Sequence, residues 1–267
     1  MHPAVPTHFI PHGGGPCFFM EWDPPDAWDR MEAWLRGLLE QLPRRPSAVV
    51  VVSAHREASA FTVNAQAAPP LLFDYYGFPA HTYELTWPAA GEPELAERVR
   101  ELLADGGLPE AVERERGLDH GVFIPFKLID PEADIPVVEL SLRAGLDPAE
   151  HIAAGRALQA LREEGVWLVG SGMSFHNMRR FHWDNSGLDA DSVGFDEWLG
   201  DAVTAPAAER ERRLVAWADA PGGRASHPRE EHLLPLHVVA GAGGEDAGAV
   251  VFQDRVLGSA QSAFRFG

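Results

Sequence analysis

At 267 residues the chain is long enough to bury about three quarters of its unfolded surface in one unit, so a sizeable core needs no disulfide. Apolar residues at 45% and charged residues at 23% are the proportions of an ordinary globular protein, not of a disordered or membrane-spanning chain. With 40 acidic against 22 basic residues the formal charge is -18, a field that repels phosphate backbones and anionic lipid and excludes nucleic acid and membrane surfaces as good partner guesses.

In chain order, Thr7 to Ile10 is a short apolar run, followed by a helical pattern over Ala27 to Leu42. Pro46 to Ser53 carries four consecutive valines without alternation, the pattern of a parallel strand buried on both faces. A helical pattern follows at Glu92 to Ala104, then an apolar run at Ile135 to Leu142. Pro148 to Glu164 reads as a helix opened by Asp147 as N-cap and Pro148 at the first helical position. Val166 to Val169 is a further buried run. Gly241 to Gly248 reads as a flexible loop before a closing strand pair, Ala249 to Gln253 and Ala260 to Phe266. The alternation predicts an α/β fold: a single-domain sandwich spanning 1–267, with a mainly parallel central sheet flanked by helices and a site at the carboxyl ends of the strands.

Cys17 is the one cysteine, so neither an intrachain disulfide nor a zinc-thiolate cluster is available. It reads as a small buried hydrophobe rather than a nucleophile. Met1 to Pro16 lacks the basic and apolar regions of an export leader, and no run approaches the roughly 18 apolar residues of a membrane span, so a reducing cytoplasm is expected. An anionic substrate would need a local positive pocket, for which Arg143, Lys127, Arg179 and Arg180 are candidates.

Twelve histidines are present, and three follow apolar runs. His12 stands between Phe9-Ile10-Pro11 and three glycines that remove bulk around its imidazole; a capping donor beside a tight turn is the alternative. His55 closes Val-Val-Val-Val-Ser-Ala-His at the mouth of the expected central strand, where an open α/β sheet places its ligand. His176, in Gly170-Ser-Gly-Met-Ser-Phe-His-Asn177, follows Val166 to Val169, with Asn177 either orienting it or capping a helix. His232 falls at the start of an apolar helical segment beside Glu230 and Glu231, acids that a helix N-terminus also favours through its dipole. His120 lies next to Asp119 and Gly121 in what reads as a turn.

Imidazole donors without thiolates suit zinc or non-haem iron rather than calcium or magnesium. Other schemes lack their motifs: Gly170-Ser171-Gly172 is not a nucleophile elbow, and no His-Glu-x-x-His helix, phosphate loop or dinucleotide fingerprint occurs.

Six short motifs in order carry a more specific signal: His12-Gly13; Ser53-Ala-His55; Tyr76-Gly-Phe-Pro79; Leu118-Asp-His-Gly121; Gly170-Ser-Gly172 with His176-Asn177; and Glu231-His-Leu-Leu-Pro-Leu236. Together they resemble the class III extradiol ring-cleaving dioxygenases, related to the protocatechuate 4,5-dioxygenase catalytic subunit and nearest the DOPA 4,5-dioxygenase branch, from about Thr7 to the C-terminus. The resemblance implies one mononuclear iron(II), Fe(II), needed for activity and often replaced by zinc, Zn(II), in isolated protein. It implies His12, His55 and His232 as metal ligands and His176 as acid-base catalyst, with His176 also a fourth ligand in a resting zinc form. It implies that His120 contacts substrate or oxygen, and that the substrates are O2 and a substituted catechol.

Two departures stand out. Where many non-haem iron oxygenases and the protocatechuate-cleaving relatives place a carboxylate, this chain has His232. Gly13-Gly-Gly-Pro16 carries one residue more than the Gly-Ser-Pro of relatives. Trp87, Phe78, Tyr83 and Phe175 are candidates to line an aromatic pocket. A zinc metallohydrolase using the same residues, and a non-catalytic metal-binding module of the same fold, are the alternatives to the ring-cleaving reading; a homodimer would be unsurprising.

Overall fold

Val49, Val50, Val51 and Val52 are all buried, but not against the same neighbours. Val49 and Val51 join one apolar cluster and Val50 and Val52 another, because alternate side chains of a strand leave on opposite faces. Each buried valine contributes about 1.5–3 kcal/mol of transfer free energy, so a non-alternating run needs a layer on both sides.

The computed structural model describes residues 3–267; Met1 and His2, the first residues of the segment read for a leader, lie outside the described residues. The strands are β1 (Thr7–Pro11), β2 (Ala48–Ala58), β3 (Phe61–Asn64), β4 (Glu110–Glu113), β5 (Val137–Arg143), β6 (Val166–Gly172), β7 (Gly248–Val256) and β8 (Ser259–Phe266). The helices are α1 (Asp29–Arg36), α2 (Pro93–Asp105), α3 (His120–Ile129), α4 (Pro148–Leu158), α5 (Ala190–Thr204), α6 (Ala207–Val215), α7 (Gly223–Ser226) and α8 (Leu234–Gly243). One sheet runs in the order β4-β3-β5-β2-β6-β1-β8-β7. Its centre, β5-β2-β6-β1, is parallel throughout. Helices α1 and α3 cover one face through Met31, Leu35, Phe123 and Phe126. The other carries α2, α4 and α8 through Val99, Leu103, Leu158 and Val238. The α/β sandwich expected from the sequence is therefore the fold, and no helix among the described residues is long and apolar enough to cross a membrane.

Boundaries moved for identifiable reasons. The expected helix 27–42 stops at Arg36, where Gly37 caps it, and resumes only as a single 3-10 turn. Asp147 does cap α4, its carboxylate accepting the Glu150 N–H at 3.0 Å. The glycine-rich stretch from Gly241 is not a flexible loop at its start, since α8 continues through Gly243. A Cβ at Gly241 would overlap the Ile152 carbonyl of α4, and one at Gly155 the Val238 carbonyl of α8, so these glycines let two helices touch backbone to backbone.

Candidate metal centre

The carboxyl ends of β1, β2 and β6 meet at one edge of the sheet, where a parallel α/β fold gathers its ligands. His12 is the first residue after β1. His55 lies inside β2 rather than at its end, but pairing with β6 stops at Ser53 and pairing with β5 breaks between Val52 and Glu57. The imidazole thus leaves the sheet where the ladder is interrupted, the usual effect of a bulge. His232 stands two residues before α8, as expected, and reaches the strands because Gly172 of β6 has no side chain; a Cβ there would overlap the His232 carbonyl.

These three imidazoles converge. His55 Nε2 lies 3.2 Å from His12 Nε2 and 3.3 Å from His232 Nε2. Nitrogens about 2.1 Å from a common ion would be about 3.4 Å apart at tetrahedral angles and about 3.0 Å at octahedral ones, so the edges fit a first-row divalent ion. The second shell fits too. His12 donates Nδ1–H to the Gly13 carbonyl at 2.9 Å and His232 donates Nδ1–H to Glu231 Oε1 at 3.0 Å, which leaves both Nε2 lone pairs for a metal. Burial first, and mutual repulsion among the neighbouring histidines second, hold His12, His55 and His232 well below the ordinary imidazole value, so each is a neutral donor.

His176 and His120 complete the ring of histidines. His176 follows β6 in a loop anchored by its own N–H to the Ser226 carbonyl, and its ring stacks on that of His232 at 3.3 Å between centroids. Its Nδ1 lies 3.8 Å from Glu231 Oε1, and burial followed by repulsion from His120 lowers its pKa to about 4. Asn177 does not orient it: the amide donates to the Ala225 carbonyl and accepts the Arg179 N–H. His120 is not in a turn but opens α3. Its Nδ1 and backbone N–H both donate to Asp74 Oδ1, at 2.8 and 3.0 Å, and its ring lies 3.8 Å from that of His55. Pro125 lacks the N–H that would bond the Gly121 carbonyl in α3; Ser171 Oγ of β6 donates to that carbonyl instead, tying the helix to the strand.

A cavity of about 340 Å³ opens onto His12, His55, His120 and His176. Phe78 lines it as expected, whereas Trp87 and Phe175 belong to the core and Tyr83 packs behind Tyr75. None of the four basic candidates lines it. Arg143 pairs with Glu150, Lys127 donates to the Thr86 carbonyl and Arg180 pairs with Asp189 and Asp191.

Among the supporting residues Asp74 gave no signal in the sequence, whereas Glu231 and Asp119 were visible as acids beside His232 and His120 without a fixed role. Asp119 accepts from Ser53 Oγ at 2.6 Å and from Arg116 at 3.1 Å, fixing the strand just ahead of His55. Fully buried Glu139 is pushed well above the usual carboxyl range by burial and by Asp119.

Residues 6–264 match the family of the catalytic LigB subunit of aromatic ring-opening dioxygenase. The chain belongs to the class III extradiol dioxygenases. It is 36% identical over 91% of its length to a 4,5-DOPA dioxygenase extradiol of Beta vulgaris, covering 88% of that protein. To the enzyme of the same name in Portulaca grandiflora it is 41% identical over 78% of its length and 76% of the relative. The crystal structure of an uncharacterized Escherichia coli K12 protein superposes with a TM-score of 0.80 at 32% identity, covering 98% of this chain and all of that one. As an extradiol dioxygenase the chain cleaves an aromatic ring beside a diol with O2 at a mononuclear metal centre, and these likenesses favour that reading over the hydrolase and binding-module alternatives.

Proposed function

We propose that His12, His55 and His232 hold a single iron(II), that His176 is the acid-base catalyst, and that His120 positions substrate or oxygen for extradiol cleavage of a catechol. The observation that carries this reading is the approach of three neutral Nε2 atoms to 3.2 and 3.3 Å of one another, two of them fixed from behind by Gly13 and Glu231. Zinc fits the same three donors, and three imidazoles without a carboxylate leave the ion more positive than in a two-histidine, one-carboxylate site. A reducing cytoplasm suits both iron(II) and the lone buried thiol of Cys17.

Iron held by His12, His55 and His232 would supply the redox chemistry between catechol and dioxygen. The protein supplies the proton chemistry around it. His176 is neutral at physiological pH and has Glu231 on its Nδ1 side, so its Nε2 is the atom free to take a hydroxyl proton from the catechol. The Glu231 carboxylate stabilises the imidazolium that results. His120, held through Nδ1 by Asp74, keeps Nε2 free to hydrogen-bond an oxygen of the reacting pair. Trp28, Tyr75 and Phe78 give this proton chemistry a largely apolar surround.

The test is anaerobic loading with iron(II) to one ion per chain, followed by air and a catechol. One O2 consumed per catechol with a yellow ring-opened product is expected, and zinc-loaded protein should be inert. Equal oxygen uptake by the zinc form, or none by the iron form, would overturn the iron assignment.

A further inference from the structure

The geometry points to a neutral, apolar-substituted catechol, an alkyl or aryl catechol, as the substrate class, in preference to catechols carrying a carboxylate. This rests on the proposed site and narrows what it accepts. Among the described residues no lysine or arginine lines the cavity that opens onto the histidines. Its walls beyond them are Trp22, Trp28, Tyr75, Phe78, Met173 and Phe181, with backbone at Gly13 to Gly15. The mouth is apolar as well: Tyr76, Met178 and Trp183 all line it and are 91%, 53% and 48% exposed. They are three of only five large hydrophobic side chains so exposed among the described residues, and a rim of this kind marks a surface that receives an apolar group.

The charges nearby point the same way. The carboxylates of Asp74 and Glu231 stand behind His120 and His232, adding to the field of a chain with net charge -18. Arg116 lines a separate cavity on which His55 also borders, and its guanidinium is taken by the His55 carbonyl and Asp119, while Arg229 is taken by Glu57 and Glu231. A carboxylate on the ring substituent would give up its water with no lysine or arginine of the lining to pair with it. An alkyl chain of the same length would gain about fourfold in binding per buried methylene.

The experiment compares 4-propylcatechol, 3-(3,4-dihydroxyphenyl)propanoate and DOPA, which share the ring and differ at the end of a three-carbon substituent. Calorimetric titration of zinc-loaded protein reads affinity without turnover, and oxygen uptake by iron-loaded protein reads kcat/KM. Affinity and kcat/KM at least tenfold higher for 4-propylcatechol are expected, with Met178→Arg narrowing the gap severalfold. Equal or better binding of either carboxylated catechol by the native protein, or a ranking unmoved by Met178→Arg, would overturn the substrate class. A tenfold binding preference without oxygen uptake would uphold it and strike instead at the iron assignment.

Discussion

The ring of His176 lies flat on that of His232, 3.3 Å between centroids and 12° between planes, while Glu231 Oε1 stands 3.0 Å from Nδ1 of His232 and 3.8 Å from Nδ1 of His176. One carboxylate thus stands behind both the proposed ligand and the proposed base. Replacing His176 by Ala should leave the folded protein able to bind a catechol but lower kcat by about 10²- to 10⁴-fold, the usual worth of a positioned general base. Steady-state oxygen uptake checks this, and a loss under tenfold would remove His176 from the proton path.

Glu231→Ala should act through His232. With its Nδ1 partner gone the imidazole is free to turn and its Nε2 is a weaker donor, so metal affinity should fall about 10- to 100-fold. Competition with a chelator measures this. Unchanged affinity would mean that Glu231 serves only the helix end.

Asp74→Ala should separate positioning from metal binding. Asp74 takes two hydrogen bonds from His120 and touches none of the three proposed ligands by such a bond. Turnover should drop about tenfold with metal content intact, which parallel metal analysis and oxygen uptake would show.

Acid should unfold the chain early. Burial holds His8 and His227 to pKa values of about 3 and His237 to about 4, whereas each takes a proton near 6.5 once unfolded. The unfolded state therefore binds more protons at every pH below 6.5, and stability falls as pH falls. Three such groups give a slope of roughly 4 kcal/mol per pH unit between about pH 6 and 4. Denaturant titrations at pH 7, 6 and 5 read it; equal stability at pH 7 and 5 would contradict the prediction.

The sequence displayed what burial periodicity and local turns encode. The four valines of β2, the Asp147 cap of α4 and the strand-end position of His12 are each specified within a few residues. What it hid depends on distant partners. α3 was missed because nine of its ten residues are buried and an apolar surface all round has no 3.6-residue rhythm. The strands β3 and β4 have four residues each, and β4 is Glu-Ala-Val-Glu, half-buried throughout, so neither carries a strand pattern. The clustering of the histidines was legible from their settings and from the motifs' order. Asp74 was not, because its partner lies 46 residues on and nothing around it marks a site.

The central claim is that three of the five clustered histidines hold the metal and two work around it. The direct measurement is metal content per chain, after loading and desalting, of His12→Ala, His55→Ala, His232→Ala, His120→Ala and His176→Ala. The first three should each fall to well under half an ion per chain, and the last two should keep about one. Full occupancy in any of the first three, or loss of the ion in His120→Ala or His176→Ala, would contradict the assignment.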